Sequence, residues 1–200
     1  SSSVGACVID EGELPVVSAV KRVPIGAGIA RDAAALVPQL KEALTGLIPD
    51  YAKLFPKIRT VSVIVASPWF AATLRTLASK ADKPVKVNRN TIERVVSDYK
   101  KTVQADTGHT TLESLPVTVL VNGYRTMAHR SVHGKTLAVT LYESVTDQLL
   151  VQTVTDAIRT SIAKSVITWH TTPLAYAETL LRLSDEDHAT VVDVGGEVTD

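Results

Sequence analysis

The sequence predicts an α/β fold that carries a small inserted α+β module. Three observations lead there. Amphipathic stretches with apolar residues at steps of three and four alternate with short runs rich in β-branched residues, as in α/β layer structures. The run Val61-Ser62-Val63-Ile64-Val65-Ala66 is nearly continuous in apolar character, the signature of a buried central strand. From residue 67 to residue 143 the order changes to strand, helix, strand, strand. That stretch reads as the module, and residues 1–66 plus 144–200 read as its host.

Taken in order, Val4 to Ile9 reads as a strand, Glu11-Gly12-Glu13 as a turn and Val16 to Val23 as the returning strand of a hairpin. Ile29, Ala33, Leu36, Val37, Leu40, Leu44, Leu47 and Ile48 form one apolar helical face. Pro38 is expected to kink this helix or restart it, with Pro49 and Pro56 closing the segment. Val61 to Ala66 is the buried strand, and Ser67-Pro68-Trp69-Phe70 ends it. In the module, Thr73 to Ala78 alternates as a half-exposed strand, and Lys80 to Pro84 reads as a polar connection. Asn90 is expected to cap a helix with Glu93 as its capping-box partner. Ile92, Val95, Val96, Tyr99 and Val103 make the buried face of that helix. Residues 104–114 read as a loop, Leu115 to Val121 as a strand, Asn122-Gly123 as a turn or bulge, and Val132 to Tyr142 as a strand. Val145, Leu149, Leu150, Val154, Ile158 and Ile162 mark a second long amphipathic helix. Ser165 to Trp169 is a short strand, and Thr172-Pro173 pairs a cap with proline at the first helical position.

Composition narrows the function classes. An apolar share of 45% suits a packed core. Basic and acidic residues number 21 each, so bulk charge gives no support for nucleic-acid binding. Cys7 is the only cysteine, so an intrachain disulfide is impossible, and a reducing, cytoplasmic setting fits. No apolar run approaches the ~20 residues of a membrane-spanning helix. His109, His129, His133, His170 and His188 show no metal-ligand spacing on the elements expected for them. Asp185-Glu186-Asp187 reads as a solvated turn.

The chemistry-bearing stretches stand at the two ends. Val191-Val192-Asp193-Val194-Gly195-Gly196-Glu197-Val198-Thr199-Asp200 is a strand running into a tight turn. Glycines there tolerate positive φ and let backbone N–H groups approach an anion. An Asp at the strand end can hold Mg²⁺ through water. The plain alternative is a hairpin with a Gly-Gly turn. Ser1-Ser2-Ser3-Val4-Gly5 at the other end is small, polar, Gly-bearing and also beside a strand.

This pair of loops resembles the actin-like ATPase superfamily, where two related hairpin loops grip nucleotide phosphates from opposite sides. Residues 193–200 match the pattern of the second loop, Asp-x-Gly-Gly-x-x-Thr-Asp, while Ser1 to Ser3 match only the later half of the first. The chain therefore reads as the first half of a longer protein. The element order resembles the FtsA/PilM branch, cell division protein FtsA and type IV pilus assembly protein PilM. Ser67-Pro68-Trp69 and Lys83-Pro84-Val85 look like the opening of that branch's compact module. Thr172-Pro173-Leu174-Ala175-Tyr176-Ala177 resembles its connecting helix. The resemblance covers nearly the whole chain and implies an RNase H-like, actin-like subdomain with a mixed sheet.

What the resemblance implies for function is specific. Ser1, Ser2 and Ser3 would donate to the β- and γ-phosphates of ATP, and Gly195 and Gly196 would bring backbone N–H groups to them. Thr199 would add a hydroxyl, and Asp193 would be the catalytic residue orienting Mg²⁺ through water. Glu197 stands where the family often has glycine and would crowd the phosphate. The implied role is a cytoplasmic adaptor at the inner face of the membrane, at most a weak ATPase when full-length. Its partners would be other division or pilus-assembly proteins, with self-association into filaments and membrane contact only through segments outside this chain. Thr199-Asp200 tilts the choice toward the FtsA-like division role over the PilM-like one. Two further readings stand beside these: a sugar or acid kinase of the same superfamily, for which no cluster of substrate carboxylates is found, and a nucleotide-independent interaction domain.

Overall fold

The computed structural model describes residues 3–25, 33–102, 108–126, 131–183 and 190–192. In chain order the elements are β1 Ser3–Glu11, β2 Pro15–Pro24, α1 Ala33–Leu54, β3 Thr60–Val65, β4 Ala71–Val87, α2 Arg89–Thr102, β5 His109–Val121, β6 Tyr124–Arg125, β7 Val132–Asp147, α3 Gln148–Ser161, β8 Val166–Thr171 and α4 Thr172–Leu183. The chain divides into two compact units, Ser1–Phe70 with Thr146–Asp200, and Ala71–Val145. The architecture is mixed α/β.

In the first unit β1 and β2 form an antiparallel hairpin, with Val4 opposite Val23 and a bulge between Val8 and Ile9. β3 and β8 pair in parallel, Val61 opposite Ile167 and Val63 opposite Trp169. Among the described residues these are two separate two-stranded sheets, one antiparallel and one parallel, and the single mixed sheet expected for this unit is not formed by them. Leu36, Leu40 and Leu44 of α1 meet Leu150, Val154 and Ile158 of α3 in one apolar cluster. Val4, Val61, Val63, Ile167 and Trp169 pack against that cluster from the strands.

α1 corrects the expectation drawn from its prolines. Pro38 and Pro49 both lie inside a single 22-residue helix. Each proline costs about 3 kcal/mol in a helix interior. Both sit on the exposed side, where water can reach the backbone carbonyls they leave without a helical donor. The opposite side carries Leu36, Leu40, Ala43, Leu44, Leu47 and Tyr51, all buried, and this face continues in phase across both prolines. The four leucines and Tyr51, at about 1.5–3 kcal/mol for each fully buried large side chain, outweigh two helix breakers.

The second unit is a four-stranded sheet in the order β4-β7-β5-β6 with α2 against one face. Its core is Val87, Ile92, Val119, Val121, Leu137, Val139 and Leu141, with Leu77, Val95, Val96 and Tyr99 packed around them. Four boundaries differ from the expected ones. Lys80 to Pro84 is a bulge within β4 rather than a connection, because pairing with β7 resumes at Val85. The cap of α2 is Asn88 and not Asn90. Thr91 N donates to Asn88 Oδ1 at 3.0 Å, Asn88 N donates to Thr91 Oγ1 at 3.4 Å, and Glu93 instead holds Arg89 at 2.9 Å. β5 begins at His109, inside the expected loop. β7 continues through Val145 to Asp147, whose carboxylate caps α3 by accepting from Leu149 N at 2.7 Å.

Asn122 and Gly123 have φ of 51° and 83° and join β5 to β6 across the pair Val121–Tyr124. That is the Asn-Gly two-residue hairpin turn, which needs positive φ at both positions. Asn122 Oδ1 also accepts from Lys135 N at 2.8 Å and Thr136 N at 3.2 Å, fixing the turn onto β7. Gly134 lies beneath it. A Cβ there would stand 2.3 Å from Val121 Cγ1 and 3.1 Å from Asn122 Oδ1. Val121 is buried and β-branched, and Asn122 is tied by its hydrogen bonds, so neither yields cheaply. Gly134→Ala is therefore expected to destabilise this unit by about 1–3 kcal/mol. Amide hydrogen exchange at the buried strand residues Val119, Val121, Leu137 and Val139, followed through a denaturant titration, reads the second unit alone. Unchanged exchange there would contradict the account.

Candidate functional site

The start of β1 is the described part of the predicted phosphate site. Ser3 pairs with Pro24 across the hairpin, and Arg22 pairs with Gly5. From that diagonal position Arg22 Nε donates to Ser3 Oγ at 2.7 Å. A guanidinium has five donors in a planar fork suited to phosphate oxygens, so a cation of the right chemistry stands beside the loop. The sequence reading did not include Arg22. The expected hairpin contained the signal, since its register brings Arg22 to the level of Gly5. On the neighbouring position Lys21 reaches α1, 3.0 Å from Asp50 and 3.5 Å from the Gly46 carbonyl. Tyr51 OH, also on α1, donates to Ala6 O at 3.2 Å. These contacts fix the hairpin against the helix and so set the direction in which Ser3 leaves it.

Ser1, Ser2, Asp193, Gly195, Gly196, Glu197 and Thr199 lie outside the described residues. Val191 and Val192 are described. They join no ladder there and are exposed, so the strand expected to begin at Val191 is not formed by these two residues. Cys7 is a free, exposed strand residue. His109, His133 and His170 sit in β5, β7 and β8, while His129 and His188 lie outside the described residues. Among the described residues no group of three or more His, Cys, Asp or Glu is arranged to hold a metal ion.

The second unit contains a polar cluster that sequence reasoning did not assemble. Tyr99 OH on α2 donates to Glu143 Oε2 on β7 at 2.9 Å. Ser114 Oγ on β5 donates to Glu143 Oε1 at 3.4 Å, and Arg75 Nε on β4 lies 3.4 Å from Glu143 Oε2. The Arg75 guanidinium also stands 5.6 Å from the centre of the Tyr99 ring. Beside this cluster Ser144 Oγ donates to the buried Glu113 carboxylate at 3.1 Å. Burial raises the Tyr99 pKa above its ordinary value, and the Glu143 hydrogen bond and charge add to the rise against the opposing Arg75. Tyr99 is thus a neutral donor at physiological pH. The arrangement clamps α2 to three strands and supplies no general base.

No family model matches the chain, and no curated protein matches it in sequence. Among solved structures, a chain of the PilM–PilN type IV pilus biogenesis complex aligns with 99% of this chain, at a TM-score of 0.51 and 20% identity. The fold is PilM-like. The chain spans 54% of the length of that solved chain. The FtsA-like division role, placed first on sequence, takes no support from the likeness. Among the described residues no helix is long and apolar enough to cross a membrane.

The Tyr99 clamp has a pH signature. Its folded-state pKa is raised, so its contribution is fully present below the unfolded value near 10 and is lost as pH climbs through the folded value. The stability difference between wild type and Tyr99→Phe is expected to shrink in the window that opens above about pH 10, measured by denaturant midpoints. A difference that stays constant over that window would show that Tyr99 titrates as it does in the unfolded chain.

Proposed function

We propose that this chain is the first half of an actin-like adaptor of type IV pilus assembly, working in the cytoplasm against the inner face of the membrane. The observation that carries the reading is the PilM-like fold along 99% of the chain. In this reading residues 71–145 are the inserted module through which the adaptor docks another assembly protein, as the PilM and PilN chains of the solved complex assemble with one another. Ser1 to Ser3 and the loop of residues 193–200 grip the phosphates of ATP. Asp193 orients Mg²⁺ through water, Gly195 and Gly196 open the backbone, Thr199 donates a hydroxyl, and Arg22 adds positive charge behind Ser3. Phosphoryl transfer needs positioning and charge stabilisation from both sides of the nucleotide, so hydrolysis belongs to the full-length protein if it occurs at all.

Two measurements test this. Calorimetric titration of the 200-residue chain with Mg-ATP is expected to give weak binding or none, because about half of the related fold is outside it. Micromolar binding would contradict that division of labour. For the role, the full-length protein is mixed with soluble forms of a PilN-type protein and of a division protein from its own organism. Co-elution with the PilN-type protein alone is expected. Preference for the division protein would sink the pilus reading. If Asp193→Ala leaves both nucleotide and partner binding unchanged in the full-length protein, the adaptor works without nucleotide and the Gly-Gly turn is only structural.

A further inference from the structure

The sheet of the second unit ends at β4, whose outer edge has no strand partner among the described residues. From Ala71 to Lys80 this strand pairs with β7 in unbroken register. Proteins blunt such edges with prolines, bulges or dense charge. Here the bulge and Pro84 lie beyond Lys80, and Arg75 and Lys80 are the only charged residues in the run. Alternate residues of this run, about half of them, therefore present backbone donors and acceptors outward for pairing.

Two more features sit beside this edge. On the sheet face opposite α2, a cavity of about 340 Å³ opens between Ala78, Ala138, Leu120 and Gly123, with Thr136 and the Lys80 stem completing it. Alanines facing each other across the β4–β7 ladder leave the room that larger side chains would fill. Around the same end stand Lys80, Lys83, Lys86 and Lys135, all exposed. Among the described residues none of the four makes an ion pair, and Asp82 is the only acid on that stretch of β4.

We propose that the Ala71–Lys80 edge is a docking site for an extended acidic segment of a partner protein, added to the sheet as a further strand. Strand addition draws affinity from main-chain hydrogen bonds and specificity from pockets for alternate side chains. An added strand lies about 4.8 Å beyond β4, so a side chain opposite Ala78 on the open face reaches over that small residue into the cavity. Carboxylates on the same segment then meet Lys80, Lys83 and Lys86. An anionic lipid surface would use the lysines but not an open strand edge or an apolar cavity, so the peptide is the better fit. The inference does not depend on nucleotide or on the pilus role.

The test titrates the 200-residue chain with a peptide of about ten residues, matched to the edge in length, that places a valine opposite Ala78 and glutamates at the other positions of the same face, on which Lys80 stands. A valine–lysine peptide of equal length is the control. Backbone amide exchange within Ala71–Lys80 is expected to slow with the acidic peptide only. Raising salt weakens the binding, and Lys80→Glu with Lys83→Glu weakens it at least about tenfold. Ala78→Leu, which fills the cavity from an exposed position without altering charge, also weakens it and carries the test if the charge variant misfolds. Equal binding of both peptides, unaltered exchange in β4, or capture by phosphatidylserine vesicles with none by the acidic peptide would each overturn the proposal.

Discussion

Leu36, Leu40 and Leu44 of α1 meet Leu150, Val154 and Ile158 of α3, and both ladders of the first unit rest on that contact. The facing residues of the two helices, from Leu44 back to Leu36 and from Leu150 on, stand more than a hundred positions apart in sequence, with the whole second unit between them. Closing so long a connection is entropically unfavourable, though the cost grows only slowly with length. A broad apolar interface can offset it. This is why α1 keeps its phase through Pro38 and Pro49. Were the helix to break at either proline, the face that meets α3 would rotate away, and Val4, Val61 and Trp169 would lose the surface they pack on.

The second unit is held by a different constraint, the fit of a stiff, β-branched sheet against one helix. Val139 and Leu141 are fully buried, and Val119, Val121 and Leu137 nearly so. Packing that tight leaves no room for a Cβ at Gly134, and it fixes where Tyr99 must find a partner for its hydroxyl. Glu143 serves because it stands opposite Thr73 on the strand between β4 and β5, so one carboxylate accepts from α2 and β5 and attracts a guanidinium on β4. The three ties restrain the helix on a sheet whose other face carries the open cavity.

Most of this architecture is legible in the residues because periodicity reports burial directly. The α1 and α3 faces and the β1–β2 hairpin each follow one period cleanly. The run at Val61 forms its strand but is not the buried central one expected: among the described residues β3 pairs only with β8, its burial alternates, and Ile64 is 55% exposed. Misreadings arise where two periods or two caps compete. Val145 stands four residues before Leu149, as on a helix, yet it also continues the alternation of β7, and the pairing of Ala71 with Val145 decides for strand. Asn88 and Asn90 are chemically equal as caps. Thr91 settles the matter by bonding reciprocally with Asn88, a pairing visible only once the helix start is known. At the candidate site, motif matching finds residues that carry a pattern in sequence. Arg22 belongs to no pattern and reaches Ser3 only through strand register.

The same distinction explains why sequence and shape weigh the two family branches differently. Thr199-Asp200 tilts a motif reading toward division proteins, but it is two side chains at the end of one loop. A fold likeness that extends over 99% of the chain at 20% identity samples the placement of every element instead. Loop residues change readily because they lie on the surface and carry few packing partners. The positions that hold α1 against α3, or α2 against its sheet, change only with their neighbours. The packed elements therefore report the fold, and the side chains of a site report chemistry that the fold leaves open.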